Sequence, residues 1–221
     1  AVASKPRASG AGIAASLLEA IVDLAGDRAF GDAVAISGRE DVVYLDDSGS
    51  MCLTKLPMAH DLFADMSKLL QEGPTRVVKF GSYKRLVLPR SRGFSALAVQ
   101  AHWDGTSGTT YMWHMILEDI RETYRPGAGR LRAFVITDGG DTDSPEPYRG
   151  MRGMDPMMRE LRSAGYDVEF HIVFVSGLGH AVRKALHVEG LSEGDLGRYR
   201  DLAEATGGGF LHLEGAGGAH E

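Results

Sequence analysis

Cysteine is nearly absent from this chain: Cys52 stands alone among 221 residues. A single thiol excludes an internal disulfide and any multi-cysteine zinc site, and it fits a reducing compartment. Long apolar runs are missing too. None approaches the ~18 to 20 residues a helix needs to cross a bilayer, so no membrane insertion is expected. Positive charge is not in excess: 24 Lys and Arg face 30 Asp and Glu, a net charge of -6, which gives no global attraction for nucleic acid. Eight histidines are present, yet none has the HExxH or comparable spacing of a zinc hydrolase.

Glycine, by contrast, is abundant. Its 29 residues are roughly twice the usual ~7% share, but glycine and proline together stay under the ~25% that marks low-complexity chains. With 43% hydrophobic and 24% charged residues, the composition is that of a soluble globular protein, and the glycines belong in its loops.

Helical spacing of Ile13, Leu17, Leu18, Ile21 and Leu24 predicts an amphipathic helix within an N-terminal extension, residues 1–38. A main domain is expected over 39–214 and a flexible tail over 215–221. Within the domain, short apolar runs at 41–45, 131–137, 167–175 and 209–213 read as strands, and 75–80 with 85–89 as a hairpin around Gly81-Ser82-Tyr83. Helical patterns lie at 59–70, 94–101, 111–124, 154–163 and 195–205, the first stopped by Gly73-Pro74. Strands alternate with helices almost throughout. The expected fold class is therefore α/β: a doubly wound, mostly parallel sheet with one antiparallel edge strand and helices on both faces.

In such a sheet ligands gather outside the carboxyl ends of the central strands, and the unusual residues lie there. Asp46, Ser48 and Ser50 follow one strand, Asp138 follows another, and Thr109 precedes a helix. Carboxylates and hydroxyls are hard oxygen donors that suit magnesium or manganese better than zinc or copper. Alternate positions 46, 48 and 50 in a turning loop can aim at one point, with Gly49 easing the turn.

These segments, D-D-S-G-S-M at 46–51, S-G-T at 107–109 and T-D-G at 137–139, resemble the metal-ion-dependent adhesion site of von Willebrand factor A (vWA) domains. The pattern there is Asp-x-Ser-x-Ser, then a distant Thr, then a distant Asp. The resemblance spans roughly residues 39–214 and includes YRDLAEATGGGFLHL near the end. It implies a vWA/Rossmann-like fold and a Mg²⁺, with Mn²⁺ or Ca²⁺ as substitutes. Ser48 and Ser50 would bind the ion directly, Thr109 directly or through water, and Asp46 and Asp138 through water. An Asp or Glu from a protein partner would fill the open position. The chain departs from the usual Gly-Gly-Thr, having D-G-T-S-G-T-T at 104–110, so Thr106 and Thr110 compete with Thr109.

With no general base placed for chemistry, the resemblance implies a metal-dependent protein-interaction domain rather than an enzyme. Its partner could be an AAA+ ATPase or a multi-subunit assembly, in an intracellular setting. Two other readings stand beside it. A strand-end Asp46 followed by G-D-T-D at 140–143 resembles haloacid-dehalogenase-like phosphotransferases, although Ser48 occupies the place where those enzymes want a second acid. A structural subunit with a non-regulatory metal site is the other.

The remaining residues of note read blandly. Asp47, Asp141 and Asp143 are expected as solvated loop acids, Cys52 as a small buried residue and His171 as packing within its strand. From 79 to 92 there are five basic residues, Lys79, Lys84, Arg85, Arg90 and Arg92, and no acid. Such a stretch protects an edge strand from pairing, with an acidic partner or RNA phosphates as the alternative.

Overall fold

The computed structural model describes residues 40–52, 54–70, 73–176 and 192–215. Six strands form one sheet: β1 (Glu40–Asp46), β2 (Thr75–Phe80), β3 (Arg85–Ser91), β4 (Arg130–Thr137), β5 (Asp167–Ser176) and β6 (Phe210–Glu214). Among the described residues five α-helices accompany them: α1 (Lys55–Leu70), α2 (Ala96–Gln100), α3 (Trp113–Thr123), α4 (Met154–Ser163) and α5 (Glu193–Thr206). The expected helix at 13–25 and nearly all of the 215–221 tail lie outside the described residues.

The strand order is β3-β2-β1-β4-β5-β6. Every neighbouring pair is parallel except β2 with β3. This is the doubly wound arrangement expected from the alternation of elements. The central strands are apolar because both their faces are covered. Val42 and Tyr44 of β1 enter one core, with α3, α4 and α5; Val43 and Leu45 enter the other, with α1 and α2. The period-2 alternation of a strand thus divides a continuous VVYL run between two cores.

Several boundaries follow from local chemistry. β2 and α4 fall where the sequence places them. α1 begins at Lys55, four residues before the helical pattern expected from Ala59, and Leu56 and Met58 in that extra turn pack against the core. β3 runs through Pro89 to Ser91, which an edge strand tolerates because a missing N–H there breaks no interior ladder. α5 starts from a capping box: Ser192 accepts from the Asp195 amide, and the Asp195 side chain accepts from the Ser192 amide.

The order of strands turns at β1. From it the chain builds outward through β2 and β3 on one side, then crosses to β4 on the other. Loops after β1 and β4 consequently diverge from neighbouring strand ends and open a crevice there. The register sets Leu45 beside Ile136, which brings Asp46 and Thr137 next to each other at the rim.

Candidate metal centre

Asp46, the last residue of β1, is wholly buried. Its Oδ1 accepts from the Ser48 amide at 2.9 Å, closing the turn after the strand. Its Oδ2 accepts from Thr137 Oγ1 at 2.6 Å, a contact that the β1–β4 register creates. Ser48 Oγ and Ser50 Oγ are 2.9 Å apart, and Ser50 Oγ donates to Asp138 Oδ1 at 2.8 Å. Four of the five expected donors therefore meet at one rim, two carboxylates with a pair of hydroxyls between them.

The fifth stands beside them with a different neighbour. The loop carrying Thr109 is zipped onto the first loop: Ser48 and Ser107 form an isolated parallel bridge, Gly49 N donates to Ser107 O at 2.6 Å and Ser107 N to Asp47 O at 2.8 Å. The Thr109 hydroxyl is 3.0 Å from Ser82 Oγ. Of its competitors, Thr106 donates to Asp104 at 2.8 Å. Thr110 is buried and joins the 138–144 loop, its amide donating to Thr142 Oγ1 at 3.1 Å.

The carboxylates create an electrostatic demand. Burial, and after it the charge of nearby Asp138, raises the Asp46 carboxyl to about 6, against the opposing hydrogen bonds from Thr137 and Ser48. Two buried acids that repel each other, Asp138 ion-paired with Lys55 and Asp46 with no paired cation among the described residues, are a fitting cradle for a divalent cation, which would reverse that upward shift. The donors do not suit a His- or Cys-rich site: among the described residues no three His, Cys, Asp or Glu side chains cluster as metal ligands.

Around this rim, side chains read as bland in the sequence are structural. Asp47 is buried, not solvated; its Oδ1 accepts from the Asp104 and Gly105 amides at 3.1 and 2.9 Å, and Oδ2 pairs with Lys79 Nζ at 2.7 Å. Lys79 is accordingly a buried counter-charge on β2 and no part of an exposed basic strip. Asp141 is buried too. It receives the Met112 and Trp113 amides at 2.9 Å each, capping α3 from a distant loop. Asp143 keeps its expected place in a loop, half-buried. Trp103 donates its indole N–H to Asp46 O at 2.6 Å. Cys52 is exposed rather than buried, because it follows the 3₁₀ turn Gly49–Met51 whose one buried side chain is Met51. His171, as expected, is packed: buried and stacked on Phe134 at 4.7 Å.

A sheet ordered 3-2-1-4-5-6, wound on both faces and carrying its polar cluster where the order turns, defines a class, and the fold is that of vWA domains. No family model and no curated protein matches the sequence. Solved structures do match in shape. An aerotolerance-related membrane protein from Bacteroides fragilis superposes with TM-score 0.55 at 15% identity, over 80% of this chain and 92% of that one. A von Willebrand factor type A protein from Catenulispora acidiphila gives 0.51 at 19%, over 80% of this chain and 39% of that one. Proximal thread matrix protein 1 from the mussel byssus, solved with its MIDAS motif occupied by zinc, gives 0.52 at 15%, over 80% and 42%. Among the described residues no helix is long and apolar enough to cross a membrane.

Proposed function

We propose that the chain is a metal-dependent protein-interaction domain. Asp46, Ser48, Ser50, Thr109 and Asp138 would hold a Mg²⁺ at the rim of β1 and β4, and a partner's Asp or Glu would complete its shell. The observation that carries this reading is the hydrogen-bonded row Ser48–Ser50–Asp138 beside buried Asp46. The two serines already share one short path of oxygens with the carboxylate that follows β4. A cation held mainly by neutral hydroxyls keeps part of its charge, and an incoming carboxylate gains from it. Thr109 joins the set by exchanging its surface contact with Ser82 for the metal, a trade of about 1 kcal/mol. The exposed thiol of Cys52 fits an intracellular setting.

The phosphotransferase reading has less support. Asp46 is wholly buried and both its oxygens accept hydrogen bonds, whereas a nucleophilic carboxylate needs an approachable oxygen.

Thermal unfolding of chelator-treated protein, with Mg²⁺ added back, tests the proposal. Ligand at a hundredfold excess over Kd stabilises by about 2.7 kcal/mol, which for a chain of this size raises Tm by roughly 5–10 °C. Asp46→Ala and Ser50→Ala should abolish the rise, and capture of partner proteins by the wild type should be lost on chelation. A Tm indifferent to Mg²⁺ and to Mn²⁺ would overturn the reading.

A further inference from the structure

The first residue of α1 breaks a local rule. Helix N-termini present unpaired N–H groups and the positive end of the macrodipole, so a cation is disfavoured there; yet α1 begins with Lys55 and has no acid in its first turn. The compensation is tertiary. Lys55 Nζ is ion-paired with Asp138 Oδ2, across 83 positions of sequence. The Asp138 side chain is 1% exposed and that of Lys55 28%, so the carboxylate is deep and the ammonium reaches down to it from the surface. The other oxygen of the same carboxylate, Oδ1, takes the Ser50 hydroxyl. Among the described residues Lys55 is also the one cation paired with either acid of the rim; Asp46 has none.

We propose that Lys55 is a tethered cation that competes with the divalent metal for Asp138 and thereby sets the metal affinity of the site. The inference rests on the metal reading above. A metal drawing on Asp138 meets a fixed positive charge already bound to that carboxylate, and must weaken or displace it. Displacement is open to Lys55, because its stem is flexible and its side chain is 28% exposed. The result is a site that releases its ion readily and holds it firmly only when a partner carboxylate adds to the shell. Lysine acts here as a specificity-determining residue: a monovalent ion gains too little to displace the ammonium, while a divalent one gains enough.

Mn²⁺ titrated by calorimetry into four chelator-treated proteins tests this. Lys55→Met, which keeps the stem and loses the charge, should bind Mn²⁺ at least about tenfold more tightly than wild type, since the cation then meets no ammonium competing for Asp138. Lys55→Arg should stay within about threefold of wild type, and Asp46→Ala should not bind. Equal or weaker binding by a folded Lys55→Met overturns the proposal. A second measurement needs no variant: acetylation of wild-type lysines followed by mass spectrometry. Mn²⁺ should raise labelling of Lys55 severalfold while Lys68, paired locally with Asp65, stays constant; unchanged labelling of Lys55 in protein that binds Mn²⁺ overturns displacement. If neither wild type nor Lys55→Met binds Mn²⁺, the metal reading itself fails and the competition with it.

Discussion

Ser50 Oγ donates a 2.8 Å hydrogen bond to Asp138 Oδ1, joining residues 88 positions apart. The bond exists because β1 and β4 are parallel neighbours whose carboxyl ends finish at the same level. Parallel pairing is what makes the rim: two loops leave adjacent strands at one height, and their short polar side chains meet. Three consequences of this arrangement can be measured.

Stability should depend on pH through Asp46. Its carboxyl is raised to about 6 in the fold by burial and by the charge of Asp138, against ~3.9 in an unfolded chain. The folded protein then binds the proton more readily, so stability contributed by this group is greatest at low pH and declines as pH rises from about 4 to about 6. The decline amounts to about 3 kcal/mol. Urea unfolding in chelator at pH ~4.5 and ~7, compared with Asp46→Asn, isolates the contribution, because the variant lacks the titrating group. Wild type should lose more stability than the variant between the two pH values, and Mg²⁺ should cancel the difference by favouring the ionised form. Equal losses in the two proteins would contradict the raised carboxyl.

Asp141 should matter to stability although it lies in a loop. Besides the Met112 and Trp113 amides, it accepts the Ser144 amide at 2.8 Å and the Ser144 hydroxyl, all within the buried interior. Asp141→Ala leaves several buried donors without an acceptor and removes the cap of α3, at a cost of about 2–4 kcal/mol. Denaturant midpoints read this directly. A change below about 0.5 kcal/mol would mean that the cap is idle.

Gly81 should be needed for the shape of the rim rather than for turn flexibility. A Cβ at this position would lie 2.2 Å from Ser107 Oγ and 2.4 Å from Ser107 Cβ. Ser107 is bridged to Ser48, so Gly81→Ala pushes the Thr109 loop off the first loop. We expect Mg²⁺ affinity to fall at least tenfold, with a stability loss of about 1–3 kcal/mol from overpacking. Adding Ser107→Gly removes the colliding atoms and should restore most of the affinity. Failure of that double variant to recover would show that Gly81 acts through its own backbone instead.

Much of the sheet was legible along the chain because hydrophobic periodicity is a local signal. VVYL, TRVVKF and LRAFVIT each announce a strand from their own residues, and the run of β4 shows in its composition that both faces are covered. Asp46, Ser48, Ser50 and Asp138 were legible for a related reason, since strand ends followed by short polar residues mark the rim of a parallel sheet. Charged residues whose partners are remote were not. Asp47 and Lys79 look like a loop acid and a basic edge residue until β1 and β2 pair, when each becomes the neutralising neighbour of the other. Asp141 gives no sign in sequence that it caps a helix starting 28 positions earlier, and Lys55 none that its counter-charge follows β4. Cys52 was misjudged because one turn of 3₁₀ helix decides which side chain faces inward.

The sequence by itself therefore determined which segments form strands and helices and where hard oxygen donors concentrate, because those properties follow from neighbours within a few residues. Only the tertiary structure decided which charges are buried and with whom, and that Thr109 faces Ser82. Burying a charge is costly unless a partner arrives in register, and register is set by the pairing of whole strands.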